Sequence, residues 1–154
     1  MQWEEIGSYL DRSVRIRGLR LPAEVPGDSG DLNLMDSELM LCFQHELPDG
    51  DEETTLFRRI GLALPLAVKI YGPGSAELFG RMVEHFDAER PLLHIMTGRC
   101  YGRDVGEAVE DFFGATWPSE ERFDDWRSYS ILVFGDVQFC DKVIDIARSV
   151  VCRV

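Results

Sequence analysis

The sequence predicts an α/β (or α+β) fold, a mixed sheet of about five strands with helices packed on it, in one globular domain spanning residues 1–154. Three observations carry that expectation. Ser13–Leu21 alternates, with Val14 and Ile16 on one side and Arg15 and Arg17 on the other, as a half-buried strand does. Ser130–Gly135 is a nearly continuous apolar run, the pattern of a strand covered on both faces. From Leu66 onward, strand-like and helix-like patterns take turns, which suggests a βαβ-like C-terminal half behind a more antiparallel N-terminal half.

Taken in order, residues 1–11 place Trp3, Ile6 and Leu10 on one face of a short helix. The Ser13–Leu21 strand follows, and Leu21–Asp31, rich in Pro, Gly and acids, is a loop. Leu39–Leu47 is a second strand, ended by the acidic turn Pro48–Glu53. Residues 54–64 fit two patterns. Ile60, Leu62, Leu64, Leu66, Val68 and Ile70 alternate strictly, which favours a hairpin with residues 39–47; Leu56, Phe57, Ile60 and Leu64 also fit a helix stopped by Pro65. Leu66–Tyr71 is a strand broken by Gly72-Pro73-Gly74. Ser75 then caps a helix with Phe79, Met82, Val83 and Phe86 inward. Leu92–Thr97 is a further strand. Asp104, with Glu107 as its capping-box partner, opens a helix that buries Val105, Val109, Phe112 and Phe113 and ends at Gly114. Ser119 starts a short acidic helix, and Asp136 caps the last one, which turns Phe139, Val143, Ile146 and Val150 inward.

Composition narrows the function classes. With 45% hydrophobic and 29% charged residues the chain has the make-up of a globular protein able to bury one core. The longest apolar run, Leu62–Val68, is far short of the roughly 18 residues a membrane span requires. The acidic start Met1-Gln2-Trp3-Glu4-Glu5 has no apolar signal core, so a cytoplasmic location is expected. Cys42, Cys100, Cys140 and Cys152 are widely spaced and read as free thiols. The net charge of −12, from 28 acids against 16 cations, repels phosphate backbones and anionic membranes. It favours a basic protein as partner.

No complete catalytic signature is present. Gly72, Gly74 and Ser75 would present backbone N–H groups and a helix start to an anion, but the segment matches neither phosphate-loop pattern, and an ordinary tight turn explains it as well. Arg99 and Arg103 flank Cys100 and would hold an anionic group or lower the thiol pKa, with His94 upstream as a base. Their spacing departs from that of phosphatase cysteine loops, and a structural Cys100 needs none of this chemistry. The three histidines form no ligand pair, and the acid clusters do not follow a calcium-loop pattern. No metal and no cofactor are therefore expected.

The densest signal is Asp104–Trp126. Eight carboxylates there meet a single cation, Arg122, with five aromatic residues interleaved. Glu107, Glu110, Asp111, Glu120, Glu121, Asp124 and Asp125 would present the charge, and Trp117 and Trp126 would anchor a partner. The same residues would also make an ordinary solvated helical surface over a core. The leading expectation is an acidic inhibitor, an immunity protein or antitoxin, that occludes the active site of a basic toxin or effector enzyme. The alternative is a small enzyme or ligand-binding domain whose Gly72–Ser75 and Thr97–Arg103 loops take an anionic ligand. A secretion chaperone or adaptor is a third reading. The sequence leaves the oligomeric state open.

Overall fold

The computed structural model describes residues 2–27, 29–47, 50–89, 95–115 and 118–152. The expected α/β architecture is present as a six-stranded mixed sheet in the order β1-β2-β6-β3-β4-β5. The strands are β1 (Glu4–Tyr9), β2 (Arg12–Leu19), β3 (Ser37–Phe43), β4 (Ala67–Tyr71), β5 (Met96–Arg99) and β6 (Ser128–Phe134). The helices are α1 (Ser29–Leu32), α2 (Asp51–Ala63), α3 (Ser75–Glu89), α4 (Val105–Ala115) and α5 (Val137–Cys152), with 3₁₀ turns at Pro22–Glu24 and Glu120–Asp125.

Only β1 runs antiparallel, paired to β2; β2, β6, β3, β4 and β5 are parallel. Helices cover both faces. Leu56, Phe57 and Ile60 of α2 and Leu78, Met82 and Phe86 of α3 pack on Leu39, Leu41, Phe43, Val68, Ile70 and Leu132. Val109, Phe112 and Phe113 of α4 and Val143 and Ala147 of α5 pack on Val14, Ile16, Met40, Cys42, Ile131 and Val133. β3 and β6 are buried at every position, as a doubly covered strand requires.

Two expectations in the N-terminal half are corrected. Residues 1–11 hold no helix: β1 pairs with β2 across a two-residue turn in which Leu10 (φ 48°) and Asp11 (φ 65°) are both left-handed. That geometry matches the right-handed strand twist, but Gly and Asn normally supply it, so Leu-Asp concealed the hairpin. Residues 54–64 form α2 rather than a strand, and β3 pairs with β4 in parallel. Leu56, Phe57, Ile60 and Ala63 are buried at helical spacing, Leu62 faces solvent, and Asp51, Glu52 and Glu53 fill the first turn, where the helix dipole favours negative charge. Leu64 closes the helix in the left-handed conformation, just before Pro65.

Among the element ends, one expectation holds and two move. Asp104 does cap α4: its carboxylate accepts the Glu107 N–H at 2.9 Å, while the Glu107 carboxylate reaches back to the Arg103 N–H at 2.6 Å. Ser75 lies inside α3, and its hydroxyl accepts from Arg99 instead of capping. The last strand of the Leu66–Thr97 region is Met96–Arg99; of the expected Leu92–Thr97 segment, residues 92–94 lie outside the described residues.

From β5, at one edge, the chain returns through α4 and the second 3₁₀ turn to β6 in the middle of the sheet. The two ends of the sheet therefore carry different loops. The strand-to-helix loops gather at the carboxyl end. The second 3₁₀ turn, the β1–β2 turn and the entries to β3 and β4 gather at the amino end.

Candidate functional site

At the carboxyl end, the crevice between β3 and β6 is where ligands of open α/β sheets bind. Here the protein closes it with its own side chains. Gln44 Nε2 donates to Asp136 Oδ2 at 3.1 Å, and the Asp136 N–H donates to Gln44 Oε1 at 2.8 Å. Asp136 also caps α5 by accepting the Phe139 N–H at 2.8 Å, and these hydrogen bonds hold its carboxyl below the usual range.

The Gly72–Ser75 turn offers no anion cradle. Gly72 (φ 146°) lies against Phe43, whose carbonyl oxygen would stand 2.7 Å from a Cβ at that position. Glu46 Oε1 would stand 2.7 Å from a Cβ at Gly74, so a carboxylate already occupies the start of α3. Ser75 is buried and engaged by Arg99, whose Nη2 and Nε lie 3.1 and 3.3 Å from its Oγ. Arg103 is exposed and pairs with Glu107 at 3.3 Å. Cys100 is buried, and burial pushes its thiol pKa up, with Asp111 adding to the effect. It is therefore a neutral core thiol, the opposite of an activated nucleophile. His94 lies outside the described residues.

The acidic residues divide into two sets. On α4, Glu107 organises the preceding loop through the Arg103 N–H, and Asp111 accepts the Tyr101 N–H at 2.9 Å; Glu110 is exposed, with interactions of its own. These carboxylates hold the 100–104 segment on the helix. On the second 3₁₀ turn, Glu120, Glu121, Asp124 and Asp125 are all exposed, and none pairs with a cation among the described residues.

The reason lies in Arg122, which turns inward. Its guanidinium donates to the carbonyls of Pro65 (3.0 Å), Leu64 (3.1 Å) and Met35 (3.3 Å), which bind the turn to the end of α2 and the entry of β3. Arg127 likewise folds onto the carbonyls of Asp124 and Trp126. The two cations nearest in sequence thus satisfy main-chain oxygens and leave the four carboxylates uncompensated.

Trp126 is not on this surface. It is 3% exposed, its indole N–H donates to the Ser128 carbonyl at 3.1 Å, and the Arg12 guanidinium stacks 3.8 Å from its ring centroid. It anchors the core beneath the acidic turn, and a partner cannot reach it. Trp117 lies outside the described residues. The apolar residues exposed at this end of the sheet are others: Leu10 in the β1–β2 turn, Met35 before β3 and Leu62 near the end of α2. Leu10 and Met35 both lend their carbonyls to the arginines that pin the turn, Arg12 and Arg122. Sequence reasoning missed all three, because a lone Leu or Met carries no signal of its exposure.

One cleft of about 360 Å³ lies along the exposed side of β5. Lys69 and Arg99, from β4 and β5, share its lining with Asp111 and Tyr101. Lys69 was also missed; in sequence it is merely a charge within a strand.

No helix of the described residues is long and apolar enough to cross a membrane. Among those residues, no group of three or more His, Cys, Asp or Glu is placed to hold a metal ion. No protein-family model matches the chain, and no curated protein is significantly similar to it.

Proposed function

We propose that this chain is an acidic protein-binding domain that neutralises a basic partner, an immunity protein or antitoxin acting in the cytoplasm on a toxin or effector enzyme. One observation carries the reading. The amino end of the sheet combines exposed Leu10, Met35 and Leu62 with the uncompensated carboxylates Glu120, Glu121, Asp124 and Asp125. Protein interfaces are built that way, with an apolar centre inside a charged rim. The rim steers a partner of opposite sign, and the apolar centre supplies the holding energy. A net charge of −12 extends the same field over the whole molecule. Compared with the sequence-based expectation, Trp126 leaves the set of contact residues, and Glu107 and Asp111 become supports of the 100–104 loop.

The test starts with affinity capture from the native organism at low and high salt, followed by assay of the captured enzyme. The expected partner is a basic enzyme that is inhibited on binding, with association slowing steeply as salt rises. Replacing Glu120, Glu121, Asp124 and Asp125 together by Lys should slow association by about tenfold or more at low salt. An identified partner that binds the reversed variant as fast and as tightly as the wild type rules out this face.

A further inference from the structure

We propose that the cleft along β5 is a binding site for a small carboxylate- or phosphate-bearing molecule, with Lys69 as its counter-ion. The site is separate from the acidic amino-end face and does not depend on it.

Lys69 leaves β4 toward the α4 side of the sheet, and Gly98 stands beside it in register on β5. A Cβ at Gly98 would lie 2.9 Å from Nζ, so the missing side chain is what leaves room for the ammonium. Lys69 is half-buried, yet it has no hydrogen bond or ion pair among the described residues. An ammonium placed so beside a cleft is open to an incoming anion unless a neighbouring carboxylate takes it.

Neither nearby carboxyl does so fully at neutral pH. Glu38 is wholly buried on the same face, and burial raises its pKa to about 7, so near neutrality it balances the Lys69 charge only in part. Asp111 lines the cleft but accepts the Tyr101 N–H, which turns one of its oxygens to the main chain.

The cleft runs around the edge of the sheet, and Arg99 reaches it from the α3 face as Lys69 does from the α4 face. Arg99 engages Ser75 through Nε and Nη2, leaving Nη1 without a partner among the described residues. β5 is the edge strand, and its backbone adds more. The N–H groups of Met96 and Cys100 bond to Leu66 and Ile70 toward β4. By the alternation of a strand, those of Thr97 and Arg99 point the other way, out over the cleft. The ammonium and the two edge N–H groups form the donor set for one small anion, and the Arg99 guanidinium adds positive charge at the other side of the cleft. Lys69 sits on the penultimate strand, so it does not serve as a charged guard on the sheet edge. Tyr101, 68% exposed and with its ring 5.7 Å from the Arg99 guanidinium, offers a flat wall for the uncharged part of the ligand. Asp111, which also lines the cleft, has its second oxygen for a ligand hydroxyl or amine.

The test is a titration of ¹⁵N-labelled protein with inorganic phosphate and, separately, with succinate, against sodium chloride at matched ionic strength. Saturable amide shifts at Thr97, Arg99 and Tyr101 are expected with at least one of the two. Phosphate alone would assign the ligand to the phosphate esters, and succinate alone to the carboxylic acids. Lys69→Met should weaken the response about tenfold or more. Should that variant fail to fold, Gly98→Ala decides, since its methyl group would stand 2.9 Å from Nζ and displace the ammonium, which is expected to weaken binding too. Shifts that sodium chloride reproduces, or that survive the folded variant unchanged, overturn the proposal.

Discussion

Glu38 gives the sharpest prediction. It is the second residue of β3, on the α4 side of the sheet, with 0% of its surface exposed, and neither carboxylate oxygen has a hydrogen bond among the described residues. Burial raises its pKa from 4.5 to about 7, against the pull of Lys69, Arg12 and Arg122, which all favour the charged form. The folded state therefore holds a proton that the unfolded chain has already released. Between pH 4.5 and 7 the native protein binds more protons than the unfolded one, so stability must fall as pH rises through that window. Each pH unit is worth about 1.4 kcal/mol, so the loss is about 3 kcal/mol and is complete above pH 7.

Glu38→Gln keeps the shape of the protonated acid and removes the titration. At pH 5 the variant should be nearly as stable as the wild type. At pH 8 it should be the more stable by up to about 3 kcal/mol, or about 6–12 °C in Tm. Urea unfolding of both proteins at pH 5, 6, 7 and 8 measures the difference directly, because every other titrating group is common to the pair. Tyr129, in register with Glu38 on β6, is pushed up to about 12 and stays silent across this range. A stability difference that does not change between pH 5 and 8 would refute the reasoning, since it would mean that Glu38 titrates alike in both states. Lys69→Met should move the window higher, because it removes the first of the charges that favour the carboxylate.

Three further outcomes follow from the packing. Trp126→Ala should cost about 3–5 kcal/mol in urea unfolding, because it empties a buried site and removes the ring under Arg12; a loss below 1 kcal/mol would place Trp126 on the surface after all. Arg122→Ala should cost about 1–3 kcal/mol by leaving the carbonyls of Leu64, Pro65 and Met35 without their shared donor. Arg122→Lys should restore only part of this, since a single ammonium cannot span the same carbonyls in the same way. Iodoacetamide at pH 8 should label exposed Cys152 first and Cys42 and Cys100 only on unfolding, for burial holds Cys42 up to about 12 and Cys100 higher still; peptide mass spectrometry reads the order.

The C-terminal half was legible because its local signals agree with the fold. The Asp104 and Asp136 caps, the Val105–Phe113 stripe and the apolar run of β6 each point to the element that forms. The N-terminal half was less legible for a physical reason. Ile60, Leu62 and Leu64 alternate as a strand would, yet the helix wins because its own period buries Leu56, Phe57, Ile60 and Ala63 together. β1 lacks the Gly or Asn that usually marks a tight hairpin.

The candidate site was legible in composition but not in direction. Glu107 and Asp111 resemble Glu120 and Asp125 as residue types, and all four fall within the same acidic stretch. What separates them is whether a loop N–H lies within reach, as it does for the first two and does not for the others. The same holds for the cations. Arg122 stands amid the acids in sequence but turns to three carbonyls, whereas Lys69, with no acid next to it in sequence, keeps its charge open to the cleft. Direction is set by the return of the chain from β5 to β6. That crossover lays the Glu120–Asp125 turn over the end of α2, where free carbonyls recruit the arginine and leave its neighbouring carboxylates to solvent. The uncompensated charge at the amino end thus follows from the topology, and a rearrangement that freed Arg122 from α2 would offset one of the four carboxylates it now leaves to solvent.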